Sequence, residues 1–338
     1  MRSLTRTALL AVTLAAPATA QNVIDTPTST IEIVGLKRWT IQMIDDSLSK
    51  YSPKDRLTAH ACAAILRDKL HFADASVTVF TSLPGSTKSY VAVTIVEPAD
   101  SALIHYKPEF RDSLPTRPEW SAAYAAFKAH NDVAQHAIQS PSFYAAVLSA
   151  KDSTAFDAVR PMHDMMVAHT SPADFELARR TVESDGNAAN RAMALLVLSN
   201  FVDRDSAWRT VADALRDPTG GMVNATAAQV LRLMGVRSPR SVDWAPMADR
   251  LRYMIDGTGL FTFDVLLRTL TATSISPALA PRLLANGGAI LRAKLHSGGD
   301  SSRDVARAFL AQLSGLPATA DISSFDAWLD RQTESPSR

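Results

Sequence analysis

From Glu119 to the end of the chain, apolar residues recur at helical spacing and no stretch alternates as a strand does, so this part must bury helix against helix. Trp208, Val211, Ala212 and Leu215 form one stripe, and Val223, Ala227, Val230, Leu231 and Met234 the next. Met247, Leu251, Met254 and Ile255 follow, then Phe263, Leu266, Leu267 and Leu270. Leu284, Gly288, Leu291 and Leu295 read as another stripe, before Val305, Phe309 and Leu313 and, last, Ile322, Phe325 and Leu329. Breakers separate them: Asp185-Gly186, Asp217-Pro218, Ser238-Pro239, Asp256-Gly257 and Gly298-Gly299. Val230 to Met234 and Leu266 to Leu270 align at an offset of 36 residues, with Arg232 matching Arg268. Helix pairs at about this period predict an α-solenoid, with a non-repeating bundle as the alternative.

The first hundred residues carry a different period. Thr30 to Val34 reads as a short strand ended by Gly35, followed by helices over Trp39–Ser49 and Leu57–Leu70, with Pro53 between them. Ala75 to Phe80 and Tyr90 to Val96 alternate apolar and polar residues, joined by a turn at Leu83 to Ser86. The predicted class is an α+β N-terminal domain in the order β-α-α-β-β, a three-stranded sheet with helices on one face, followed by an all-α region. Residues 21–29 read as a flexible leader, and the prolines at 98, 108, 115 and 118 mark a connector over 99–118.

Two segments carry resemblances. Ile31 to Gly35, the two helices, Leu70-His-Phe-Ala-Asp-Ala-Ser-Val-Thr-Val79 and the closing Val93-Thr-Ile-Val-Glu97 are similar to a POTRA domain over residues 29–98. The departure is His71, where that family has glycine. Arg191-Ala-Met-Ala-Leu-Leu196, through Ala214-Leu-Arg-Asp217, to Ala227 through Gly235 resembles HEAT-type repeats, best over 187–235 within a helical region of 119–335. POTRA domains are associated with strand exchange near outer-membrane assembly and secretion machinery. Both resemblances imply protein–protein recognition.

Arg2 and Arg6, the apolar run Ala8 to Ala15 and the small residues Ala18-Thr19-Ala20 read as a secretory signal peptide, 1–20, cleaved after Ala20. Export to the periplasm or cell envelope is therefore expected, and no later stretch is long and apolar enough to span a bilayer. Removing those two arginines takes the net charge from +1 to −1. Cys62, the single cysteine, sits among Ala61, Ala63 and Ala64 and is expected to be buried, so packing rather than a disulfide must stabilise the fold.

No motif singles out a catalytic, cofactor or metal residue. His163 and His169 lie near Asp164 and Asp174, but six residues place two histidines roughly 240° apart on a helix. There is no Gly-x-Ser-x-Gly elbow, no His-Glu-x-x-His phrase and no dinucleotide or phosphate loop. Residues 155–335 hold 19 basic against 20 acidic residues, which argues against nucleic acid. Trp120, Tyr124 and Phe127 are helically spaced and read as core, as do Met165 and Met166; Phe143 and Tyr144 form a second aromatic cluster. Arg232 and Arg268 hold equivalent repeat positions and are the candidate partner-binding residues, a local basic ladder suited to an acidic segment. The expected function is a non-enzymatic adaptor or scaffold that binds a protein or peptide partner through a sheet edge, a helical-repeat groove or both. The alternatives are an exported hydrolase with a site of scattered residues, and a purely structural envelope protein.

Overall fold

Alternation along Ser29–Val34, Asp74–Phe80 and Ser89–Val96 builds the sheet, because every second side chain finds the same apolar layer. The structure, a computed structural model, describes residues 22–51, 57, 61–80, 88–115, 117–139, 141–149, 154–219 and 221–334. The expected signal peptide, Pro53 and the turn at Leu83 to Ser86 lie outside them, as do the side chains of Phe143 and Tyr144. The sheet has four strands: β1 Val23–Asp25, β2 Ser29–Val34, β3 Asp74–Phe80 and β4 Ser89–Val96, in the order β1-β2-β4-β3. β2 and β4 run parallel, with Ile31 opposite Val91, and the outer pairs are antiparallel. The fourth strand corrects the three expected. Val23-Ile24-Asp25, read as leader, pairs Ile24 with Ile31 across the edge of β2.

One face of the sheet carries Ile31, Ile33, Val77, Val91, Val93 and Ile95 against α1 (Ile41–Tyr51) and α2 (Ala61–Asp68), with Cys62 buried among them. Glu97, nearly inaccessible at the end of β4, accepts the backbone N–H groups of Lys37, Arg38 and Trp39 at 2.7–2.9 Å and so ties that end to the approach of α1. His71 enters β3 with a φ of +56°. That is the left-handed conformation which glycine adopts at least cost. His71→Gly is expected to hold stability or raise it by up to about 1 kcal/mol, and His71→Val to lower it by about 1–2 kcal/mol. Urea midpoints check this; a glycine variant weaker than wild type by more than about 1 kcal/mol would contradict it.

The helical region comprises α3 Pro118–Ala129, α4 Asn131–Gln139, α5 Pro141–Ser149, α6 Thr154–Ala168, α7 Pro172–Ser184 and α8 Ala188–Leu198. After them come α9 Asp205–Asp213, α10 Gly221–Arg237, α11 Ala248–Ile255, α12 Phe263–Ala272 and α13 Ala280–Leu283. α14 Ala289–Leu295, α15 Asp300–Ser314 and α16 Ile322–Glu334 complete it. α8 is buried all round from Arg191 to Leu198, which is why its sequence is apolar on every face rather than striped. Trp120 and Phe127 are core, as are Met165 and Met166, with Tyr124 packed against that core. The stripe through Leu284, Gly288 and Leu295 is not one helix. Gly287 and Gly288 take φ of +85° and +56° and turn the chain between α13 and α14.

Side-chain ion pairs and hydrogen bonds also link segments well separated in sequence. Arg209 donates to the Asp243 carbonyl, Arg282 to Asp249 and Arg292 to Asp326, at sequence separations of 34, 33 and 34. Among the described residues no helix is long and apolar enough to cross a membrane.

The second face of the sheet is not open to solvent, which corrects the expectation of helices on one side only. Glu32, Ser76 and Thr94 are buried there under the helical region. Glu32 accepts from Ser297 Oγ at 2.6 Å and Gly298 N–H at 2.9 Å, and from the Tyr90 hydroxyl. Gly257 is required at this junction: its φ is +124°, and a Cβ there would stand 2.5 Å from Val96 Cγ2. The connector is a short 3-10 turn, Pro98–Leu103, followed by an extended strap. The strap bonds the loops it crosses: Lys107 N–H to the Arg216 carbonyl, His105 N–H to Thr258 Oγ1, and the Asp112 carbonyl from Gly186 N–H.

Candidate functional site

β1 and β3 are the sheet's edges, and β3 is the longer. Beside β3 runs a groove of about 750 Å³, the size of a ligand cleft. Ala63 and Arg67 of α2 form one wall, and Asp74 to Val77 form the floor. Tyr106 of the strap, Gly221 and Asn224 at the start of α10, and Gly259 and Phe261 before α12 form the other wall.

Asp74 fixes the geometry. Its carboxylate accepts the Ala75 N–H at 2.8 Å, the Tyr106 hydroxyl at 2.7 Å and the N–H groups of Gly259 and Leu260 at 3.0 and 3.2 Å. Burial pushes Asp74 up, partly offset by these donors; burial and the neighbouring Asp74 push the Tyr106 hydroxyl up as well. With four donors on it, three of them on Oδ2, Asp74 acts as a clamp between β3 and the Gly259–Leu260 turn. Arg67 caps the same end of the edge, donating to the Ala75 carbonyl at 2.5 Å.

Two side chains of the groove face outward. Phe261 is 59% exposed and Tyr106 37%, so two aromatic side chains stand over the edge strand. Asn224, 6% exposed, donates Nδ2 to the Leu215 carbonyl at 3.0 Å, while its Oδ1 has no partner among the described residues. A buried amide oxygen without a donor is costly.

A smaller polar cleft of about 180 Å³ adjoins the groove; Ser76 and Phe261 line both. Thr78 and Thr94 form its sheet side, and Arg232 of α10 and Arg268 of α12 line it together. The structure thus brings both sequence-predicted residues to one place. Neither has an ion-pair or hydrogen-bond partner among the described residues, and burial together with the charge of Arg268 holds Arg232 below the usual guanidinium range. Lys294 pairs with Asp264 at 2.8 Å and donates to Ser302 Oγ at 3.0 Å, while Ser302 donates to Asp264 at 3.0 Å. That triangle is closed.

The sequence alone did not point to Tyr106, Asn224 or Phe261, and it picked out Asp74 only as part of the phrase Phe72-Ala-Asp74 that enters β3. The signal available was Phe261, two residues before Phe263 and off the stripe that Phe263 opens.

Other clusters are spent on structure. His169 Nδ1 lies 3.0 Å from Asp174, but Ser171 Oγ donates to that same carboxylate at 2.7 Å and not to the imidazole. Ser171 caps α7 with Asp174 in a capping box, so this Ser-Asp-His group lacks the proton path of a triad. Among the described residues no three His, Cys, Asp or Glu side chains group to hold a metal. A shallower groove of about 390 Å³ between α7 and α9 is lined by charges that pair with one another, Arg179 with Glu176 and Glu183, and Arg250 with Asp213.

Comparison of the chain with protein-family models, curated proteins and solved structures gives no match.

Proposed function

We propose that this protein is an exported, non-enzymatic adaptor of the cell envelope that takes an extended segment of a partner protein against the β3 edge. The observation that carries this reading is the groove itself, an edge strand for its floor with the exposed rings of Phe261 and Tyr106 above it. A segment laid there meets Ala63 and Arg67 on one wall and Tyr106 and Phe261 on the other; Ala75 already gives its N–H to Asp74 and its carbonyl accepts from Arg67, so recognition rests on contacts with those walls.

The POTRA-like reading of 29–98 is supported by element order, by the left-handed backbone at His71 and by the use of Glu97 to close the unit. The α-solenoid reading is supported by the cross-links at 33–34 residues between Arg209 and Asp243, Arg282 and Asp249, and Arg292 and Asp326. Address rests on residues 1–20.

A peptide-display selection against the purified protein tests the groove. It is expected to return extended, proline-poor sequences whose affinity falls about tenfold or more with Phe261→Ala, the scale of an interface aromatic. A selection that returns nothing, or peptides indifferent to Phe261→Ala, would overturn the proposal.

A further inference from the structure

The covered second face of the sheet carries hydroxyls that nothing in the fold uses. Ser76 stands opposite Thr94 in the pairing of β3 with β4, and Thr78 stands opposite Ala92. All four line the polar cleft of about 180 Å³. Ser76 and Thr94 are only 4% and 3% exposed. Neither hydroxyl has a hydrogen-bond partner among the described residues, and that of Thr78 has none either. Buried hydroxyls are paired as a rule, so a pair of them left open toward a cavity marks a place where a polar group is held. Ala92, beside them, adds no side chain beyond Cβ to fill that space.

The facing wall supplies positive charge. Arg232 of α10 and Arg268 of α12 are exposed and line the cleft without an ion-pair or hydrogen-bond partner among the described residues. Lys294 is committed to Asp264 at 2.8 Å and to Ser302 Oγ at 3.0 Å. The one carboxylate of the lining is thereby neutralised, and the two guanidinium charges are left over. Glu32, in register with Ala92 on the neighbouring strand, does not line the cleft and already accepts from Tyr90, Ser297 and Gly298. Asp304 shares with Arg268 the lining of an adjoining groove and is not paired to it.

We propose that this cleft binds a phosphate group, held between the guanidinium groups of Arg232 and Arg268 and the hydroxyls of Ser76 and Thr94. Donor number selects the ligand. Two guanidinium forks and two hydroxyls present about six donors, whereas a carboxylate has about four acceptor sites. The three terminal oxygens of a phosphate take more, and they fit the planar fork of arginine. Size agrees: the cleft exceeds the share of one water, about 30 Å³, and is smaller than the roughly 300–1,000 Å³ that a drug-sized ligand occupies. The group is either free inorganic phosphate or the phosphomonoester end of a small molecule. In the second case the rest of the molecule leaves past Ser76 and Phe261, which the cleft shares with the larger groove. This site does not depend on a partner segment in that groove.

Isothermal titration calorimetry of the full mature chain at low ionic strength tests the site, with inorganic phosphate, glycerol phosphate and acetate as titrants. At least one of the two phosphates is expected to bind with a Kd of about 1 mM or tighter, and acetate at least about tenfold more weakly. Tighter binding of inorganic phosphate supports the site as one for the free ion, and tighter binding of glycerol phosphate supports it as one for a phosphomonoester. Arg232→Gln and Arg268→Gln, both at exposed positions, are each expected to weaken binding about tenfold or more, the scale of a hydrogen bond to a charged group. Ser76→Ala combined with Thr94→Val leaves both arginines in place and is expected to weaken it about threefold to tenfold. Two merely solvated arginines would not show that second loss. Absence of binding by both phosphates at about 10 mM, tenfold above the expected Kd, overturns the proposal. So does acetate bound as tightly as phosphate, or binding that either the arginine or the hydroxyl substitutions leave unchanged. None of these results bears on the docking groove, whose test is Phe261→Ala.

Discussion

Replacing Arg191 by methionine is expected to destabilise the protein by about 3–5 kcal/mol, because it strands a buried carboxylate. Arg191 and Asp217 are each 1% exposed. The guanidinium grips Asp217 through Nε at 2.8 Å and Nη2 at 2.9 Å, and gives Nη1 to the Asp185 carbonyl at 2.6 Å. Methionine fills the volume but leaves Asp217 charged, dry and short of its main partner. The cost therefore lies in the orphaned ion rather than in lost packing. The companion Arg191→Met with Asp217→Leu removes both charges and is expected to recover most of the loss. Urea unfolding of the three proteins checks this; a single variant within about 1 kcal/mol of wild type would refute it. The effect should reach the groove as well, since Asp217 also receives Thr219, whose loop leads into α10 beside Asn224.

Local pattern carried β2, β3 and β4 into view because Val77, Val79, Val91 and Val93 alternate with Thr, Ser and Ala. Three residues of β1 are too few to alternate, and they sit between polar and proline residues that read as a leader. The second face of the sheet misled for another reason. Glu32, Ser76 and Thr94 look like solvent-facing positions, and what buries them is far away in sequence: Glu32 meets Ser297 at a separation of 265 residues. No window on the chain contains both partners. Arg232 and Arg268 were legible because a repeat offset ties them together, and a repeat offset is a statement about stacking. Asp74, Asn224 and Phe261 belong to no repeat and no stripe. Their roles appear only once the Gly259–Leu260 turn lies across the end of β3, a contact made at separations of 185 and 186 residues. The apparent helix through Gly288 failed because periodicity counts apolar residues and takes no account of backbone, and two adjacent glycines with positive φ cost the helix its continuity.

Asp74→Ala is expected to cost about 3–4 kcal/mol, since it leaves the Tyr106 hydroxyl and the N–H groups of Ala75, Gly259 and Leu260 without their acceptor. The total stays below a simple sum of four lost bonds because the groove admits water to the site. Asp74→Asn is milder, about 1–2 kcal/mol: the amide oxygen still serves Tyr106 and the Gly259–Leu260 turn, but its NH2 group opposes the Ala75 N–H. Acid pH separates this clamp from the buried charges beneath the strap. Burial raises Asp74 above its ordinary value of 3.8, so the folded state takes up a proton before the unfolded chain does. Its contribution therefore grows as the pH falls from the raised folded value to about 3.8. Asp213 has the opposite sign. Burial works to raise it, but Lys107, Arg216 and Arg250 together hold it below 3.8. Its stabilisation is complete above 3.8 and is lost as the pH falls from there through the lowered folded value. Stability measured against pH should therefore lose its low-pH gain in Asp74→Asn, and should lose part of its fall below pH 3.8 in Asp213→Asn. Were Asp74→Asn to follow the wild-type curve at a constant offset, the carboxyl would titrate alike in the folded and unfolded states and burial would not be raising it. The groove floor would then be held by an ordinary ionised clamp.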